Sequence, residues 1–99
     1  YDAKLEIYIY EKLFEFLTKQ IGVEKIQENK TNITLTLSEE GSKLIAGDEL
    51  FKTGLDMSNH LRFSFRNDRI LIILDTVKLE RHWLYTMVEF LQKIVLLIR

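Results

Sequence analysis

The chain has 99 residues, of which 46% are hydrophobic and 29% charged, so it holds enough apolar material for one small globular domain. Fourteen Lys and Arg residues against fifteen Asp and Glu residues give a net charge of −1, which lacks the basic surplus of a protein that coats nucleic acid. Cysteine is absent, which excludes disulfides, thiolate catalysis and cysteine zinc sites.

Proline is also absent, although it averages about 5% of residues in proteins. The chain starts directly with a helical pattern and stops after the apolar run 94–98. We therefore expect 1–99 to be a single domain and a fragment of a much longer chain. No apolar run approaches the ~20 residues that cross a bilayer, and the first residues do not resemble a signal peptide. A cytoplasmic location without a membrane partner is expected.

The first predicted element is a helix over residues 2–19, which Gly22 ends. Its apolar side chains fill an arc of about 200°, whereas a helix on one sheet needs a stripe of little more than ~100°. We therefore expect this helix to contact two surfaces; the alternative is that a small domain tolerates exposed aromatic residues. The apolar residues are Leu5, Ile7, Ile9, Tyr10, Leu13, Phe14, Phe16 and Leu17.

Residues 23–27 and 32–38 predict two strands, the second half-buried because apolar and polar side chains alternate in it. Ser38 is placed to cap a short helix, whose Leu44 and Ile45 we expect to face inward. Asp48 is then placed to cap a second short helix.

A second hairpin has the clearest local pattern. A two-residue turn at Asn67-Asp68 pairs Phe65 with Ile70 and brings six apolar residues to one face. These six are Leu61, Phe63, Phe65, Ile70, Ile72 and Leu74. A final helix is predicted from about Leu79, with Trp83 packed as a core anchor over the sheet at Phe63 and Ile72. The element order predicts an α+β domain: a small, mostly antiparallel four-stranded sheet of two hairpins, packed against an N-terminal and a C-terminal helix, with two short helices between the hairpins.

The sequence contains no catalytic, cofactor-binding or metal-binding pattern. Its four glycines form no phosphate-binding loop, so we expect no ATP binding and no enzyme activity in this chain. His60 and His82 are too few and too far apart for a metal site, and solvated side chains are the simpler interpretation of both.

Two surfaces are candidates for protein contact. On the reverse face of the second hairpin, Arg62, Arg66 and Arg69 surround Leu71 and Ile73, an apolar centre with a charged rim. The alternative is that another segment covers the two apolar residues while the arginines protect an edge strand from aggregation.

The second candidate is the acidic side of the first helix. Glu11 and Glu15 are four residues apart and therefore share a helix face, while Glu6 lies to one side.

Five segments, in their order and spacing, carry a resemblance to a known family. They are LEIYIYEKLFEFLTKQIGVEKI (5–26), NITLTLSEE (32–40), AGDELFK (46–52), RILIIL (69–74) and RHWLYTMVEFLQKI (81–94). Together they resemble the C-terminal domain of bacterial transcription-repair coupling factors (Mfd) of the Gram-positive type, over nearly the whole chain. These motifs are packing patterns, and the family's upstream helical segment, with its Arg-Phe-Gly sequence and following proline, is missing.

The resemblance implies a non-catalytic regulatory domain of a larger DNA-repair protein. Such a parent is a helicase-like, ATP-hydrolysing DNA translocase that displaces stalled RNA polymerase and recruits nucleotide-excision repair through UvrA, with ATP and magnesium bound in other domains. The domain is implied to pack on an N-terminal UvrB-like module and to mask its UvrA-binding surface. A free-standing protein-protein adaptor and a nucleic-acid-binding domain that uses Arg62, Arg66 and Arg69 remain alternatives.

Overall fold

A computed structural model describes residues 3–98 of the chain. This part of the chain forms four helices and four strands, which confirms the predicted α+β class. In chain order they are α1 (Ala3–Ile21), β1 (Val23–Glu28), β2 (Asn32–Leu37), α2 (Glu39–Lys43), α3 (Gly47–Met57), β3 (Leu61–Arg66), β4 (Arg69–Asp75) and α4 (Trp83–Val95).

The four strands form one antiparallel sheet in the order β1-β2-β4-β3. The last strand of the chain therefore lies beside β2, and β3 lies at the edge. This order makes β4 a central strand, with Thr34 of β2 opposite Ile73 and Arg62 of β3 on the other side of Ile73.

One face of the sheet and helices α1 and α4 enclose the core. The sheet contributes fully buried Ile33, Leu35 and Ile72 to it. The two helices also pack on each other through rings, with the Tyr10 and Tyr85 centroids 4.6 Å apart in an edge-on arrangement. The sheet is thus covered on one side by a helical layer.

The predicted register of the second hairpin is confirmed, since Phe65 pairs with Ile70 and Phe63 with Ile72. Asn67 and Asp68 adopt φ values of 52° and 63°, the left-handed pair that a type I′ turn requires. Of the six apolar residues on the core face, Phe65 and Ile70 form the pair nearest the turn; Ile70 of the central strand is buried, whereas Phe65 of the edge strand is 67% exposed.

The expected position of Trp83 over Phe63 and Ile72 is wrong. Helix α4 begins at Trp83 and not near Leu79, because the Nδ1 atom of His82 accepts the Leu84 N–H at 3.2 Å and caps it there. Trp83 therefore lies in the first turn, where its half-buried ring meets Phe14 of α1 edge-on at 5.2 Å.

The aromatic residue of α4 over Phe63 is Phe90. Its ring centroid is 5.7 Å from that of Phe63, and its side chain is fully buried. The packing over this part of the sheet therefore comes from the middle of the helix.

The short helices confirm part of their prediction. Ser38 caps α2, with its Oγ accepting the Gly41 N–H at 3.0 Å, and Ile45 is buried. Leu44, expected to face inward, is 46% exposed because α2 ends at Lys43. Asp48 is not a cap either, because α3 begins one residue earlier, at Gly47.

Candidate functional site

Away from the helices, the sheet presents a second surface that we call the open face. Since side chains alternate along each strand, the residues between those of the core face point to it. The open face includes Lys25, Gln27, Asn32, Thr34, Thr36, Arg62, Ser64, Arg66, Arg69, Leu71, Ile73 and Asp75. It combines an apolar centre with hydroxyl groups and a basic border.

The centre of the open face is formed by Leu71 and Ile73 of β4. Their neighbours across β2 are Thr36 and Thr34, respectively. Both apolar side chains remain partly exposed, so no segment within residues 3–98 covers them completely. The two residues predicted as a contact centre therefore lie together and remain accessible from solvent in this part of the chain.

The three arginines differ in what they contact. Arg62 is 72% exposed in its side chain and lies 3.9 Å from the Asp75 carboxylate. Arg66 is exposed, and it forms no ion pair within the described residues. Arg62 and Arg66 are thus available at the border of the open face.

Arg69, by contrast, is engaged within the domain. Its Nε donates to the carboxylate of Glu24 in β1, and its Nη1 lies 3.6 Å from Glu39 Oε1 at the start of α2. This arginine connects β4 with two other elements, so its side chain contributes to the fold as well as to the predicted basic group.

A concavity of about 190 Å³ adjoins the open face at the end where β4 leaves the sheet. It is lined by Thr31, Asn32, Arg62, Ile73, Asp75 and Val77. Apolar and charged groups thus stand side by side at this end of the open face.

Glu11 and Glu15 lie on a different surface, on the outside of α1. The Glu15 carboxylate is 3.8 Å from the Lys12 ammonium. Both glutamates border a groove of about 430 Å³ between α1, β1 and the start of α4, lined by Glu11, Phe14, Glu15, Ile26, Glu28, His82, Trp83 and Leu84. The structure therefore does not bring the acidic candidates together with the arginines.

Glu6 is turned away from these glutamates, towards α4. Its carboxylate lies close to the hydroxyl of Tyr85. Partial burial raises the pKa of Tyr85 above its ordinary value, and the neighbouring Glu6 carboxylate raises it further. Glu6 thus belongs to the contact between α1 and α4.

The wide apolar arc of α1 divides into two faces. Phe14, Leu17 and Ile21 are buried, whereas Leu5 and Phe16 are 55% and 59% exposed. The exposed part is completed by Tyr8 and Ile9. Within residues 3–98, this outer face of α1 has no covering segment.

Sequence reasoning missed the central position of β4 and the threonines that flank it. The unbroken apolar run from Ile70 to Leu74 is typical of a strand covered on both faces, but within residues 3–98 helices cover only its core face, so the run did not indicate the order of the strands. That the threonines of β2 lie beside Leu71 and Ile73 depends on the pairing of β2 with β4, which no local sequence pattern indicates.

Comparisons with family models, with curated proteins and with solved structures gave no match for this chain. Among residues 3–98, no three His, Asp or Glu side chains converge in a group suited to a metal ion. None of the described helices combines the length and the hydrophobicity that a membrane crossing requires.

Proposed function

We propose that the chain is a regulatory interaction domain of a transcription-repair coupling factor. In this proposal it packs on the N-terminal UvrB-like module of the same cytoplasmic protein and masks the surface that binds UvrA. ATP hydrolysis, DNA translocation and contact with RNA polymerase belong to other domains, and this chain has no catalytic role. The proposed family rests on the resemblance of the five sequence segments, in their order and spacing, to the C-terminal domain of these factors.

The observation that carries the proposal is the accessible pair Leu71 and Ile73 at the centre of the sheet. Apolar side chains surrounded by hydroxyl groups and arginines are typical of a surface that docks reversibly. We assign the docking contact to this open face, with Arg62 and Arg66 at its border.

A docking face of this kind suits autoinhibition. Two parts of one chain meet at a high effective concentration, so a modest contact keeps the UvrA surface masked. A polar and charged border lets the contact open when the protein rearranges, whereas a large apolar interface would hold it closed.

The nucleic-acid alternative is less well supported by the open face. Single-stranded nucleic acid is commonly held on aromatic side chains that stack with bases. The corresponding centre here carries Leu71, Ile73 and two threonines, while the aromatic residues of β3, Phe63 and Phe65, are on the opposite face.

Charge reversal on the open face tests the docking proposal. Arg62→Glu and Arg66→Glu together, in the longer protein, are expected to raise UvrA affinity without ATP by about fivefold, because the closed form loses its charged contacts. Arg69 is left unchanged, since its ion pairs hold elements of the domain together.

Lys30→Glu is the matched control, because it makes the same charge change in the turn between β1 and β2, at the far edge of the sheet. Its UvrA affinity is expected to equal that of the unaltered protein. Equal effects of the control and of the double variant would reject the open face as the docking surface.

A further inference from the structure

The β3 strand is one edge of the sheet, and within the described residues no strand pairs with its outer side. We propose that this edge binds an extended peptide strand in which apolar and acidic side chains alternate. The inference does not require the function proposed above, although it shares Arg62 and Arg66 with the proposed docking face.

The backbone of β3 is arranged for strand addition. Arg66 and Arg69 flank the two-residue turn and therefore exchange hydrogen bonds with each other. In an antiparallel pair such positions alternate with positions whose N–H and C=O groups point outward, and these are Phe65, Phe63 and Leu61. The edge therefore offers an extended peptide the outward N–H and C=O groups of three residues.

The other edge of the sheet, β1, is less suitable. Its pairing with β2 shifts between Val23 and Lys25, where a bulge contains Glu24. A bulge interrupts the regular row of outward N–H and C=O groups and so blocks edge pairing. The β3 edge pairs without a register shift from Leu61 to Arg66.

On the core side of the β3 edge there is an apolar recess of about 170 Å³. It is lined by Gly47, Leu50, Phe63, Ser64, Phe65 and Ile70. Phe65, which is 67% exposed, would be covered by a side chain of the added strand that points to this side. Alternate residues of the peptide are therefore apolar.

On the open-face side of the same edge, Arg62 and Arg66 project on either side of Ser64. Residues of the added strand that point to this side meet two positive charges, so acidic residues complement them. A second copy of the chain fits poorly, because antiparallel pairing of two β3 strands about Ser64 sets Arg62 opposite Arg66 of the other copy.

The test uses the 99-residue chain and two eight-residue peptides, one alternating valine with glutamate and one alternating valine with lysine. The glutamate peptide is expected to slow hydrogen exchange of the Phe63 and Phe65 amides and to leave the amides of β1 unchanged. We expect the lysine peptide to bind at least tenfold more weakly, since its charges face Arg62 and Arg66.

Four variants locate the contact. Arg62→Glu with Arg66→Glu is expected to weaken binding of the glutamate peptide about tenfold, and Lys30→Glu by less than twofold. Phe65→Pro removes an outward N–H without removing a bond of the β3–β4 ladder, and is expected to weaken binding beyond the effect of Phe65→Ala, which keeps that N–H.

Equal affinity for the two peptides would overturn the proposal, as would protection of β1 amides in place of those of β3. A dimer of the chain alone, detected by sedimentation and dissociated by Phe65→Pro, would assign the edge to a second copy and also overturn it. Because the Phe65 side chain lies away from the open face, these results do not decide whether that face masks UvrA binding.

Discussion

Gly22, just after α1, and Gly41, in α2, lie in close contact where the two helices meet. Gly22 has a φ of +89°, a left-handed conformation that ends the helix and turns the chain into β1. Its carbonyl accepts the Ser38 N–H at 2.8 Å, and a Cβ at Gly41 would lie 3.2 Å from the same oxygen. At Gly41 a Cβ would also overlap the carbonyl oxygen of Ile21.

The Gly41→Ala substitution is therefore expected to destabilise the domain. The added methyl group would collide with a backbone carbonyl, which cannot rotate away as a side chain can. The free energy of unfolding is therefore expected to fall by an amount near the top of the range of about 1–3 kcal/mol that overpacking costs. Urea denaturation of both proteins measures it. Gly47→Ala is the control, because no atom lies within 4 Å of a Cβ there, and a similar loss in both variants would refute the explanation.

Trp83 and Phe90 show whether burial or ring size decides how much an aromatic residue of α4 contributes to stability. Phe90 is fully buried against Phe63, whereas the larger Trp83 ring is half-buried at the start of α4. Phe90→Ala is expected to cost about 3–5 kcal/mol and Trp83→Ala less than that, because less of the tryptophan is removed from water in the folded state. Thermal or urea unfolding tests the order, and a greater loss from Trp83→Ala would contradict the observed packing.

Structural features that depend on residues close in sequence could be predicted, whereas those that depend on residues far apart in sequence could not. The Asn67-Asp68 turn fixes its own register, so the pairing of β3 with β4 and the common face of Leu71 and Arg62 follow from the sequence. The choice of β4 as partner of β2 depends on how the whole chain closes.

Side-chain contacts likewise could not be predicted where they join residues far apart in sequence. Alternation placed Arg69 on the reverse face of the second hairpin, but its ion pair with Glu24 links residues 45 positions apart. No local pattern predicts such a pair. The position of Trp83 was missed for a related reason, because the cap at His82 moved the start of α4 along the chain.

The contact between α1 and α4 is expected to weaken in alkali. The pKa of Tyr85 is raised in the folded state, so the folded protein holds this proton more tightly than the unfolded chain, whose tyrosines titrate near 10. The stabilisation is complete below about pH 10 and is lost as the pH rises through the higher folded-state pKa.

The measurement is the free energy of unfolding as a function of pH for the unaltered chain and for Tyr85→Phe. Above pH 10 the unaltered chain should lose stability more steeply than the variant. Tyr8→Phe, which removes an exposed tyrosine of α1, serves as the control and should follow the unaltered chain. Parallel curves for the unaltered chain and Tyr85→Phe would contradict the assigned contact.

The domain presents several surfaces of different character. The open face carries a basic border, α1 carries Glu11 and Glu15 on its outside, and the outer apolar residues of α1 remain exposed within residues 3–98. Under the proposed function, that apolar face would contact a neighbouring segment of the longer protein. The open face is then left for the regulated contact.

Under the proposed function, nucleotide binding belongs to other domains of the longer protein. Isothermal titration of the chain with ATP and magnesium is expected to give no binding heat, because its glycines form no phosphate-binding loop. Micromolar binding would show that the chain has a nucleotide site and would contradict a purely regulatory role.

We have proposed that this domain belongs to a longer protein and masks the UvrA-binding surface of that protein. The most direct measurement is the equilibrium affinity for UvrA, without ATP and at matched ionic strength, of the longer protein with and without the segment 1–99. Deletion is expected to raise the affinity by at least as much as charge reversal at Arg62 and Arg66. Equal UvrA affinities of the intact protein and of the protein without this segment would contradict the proposed masking.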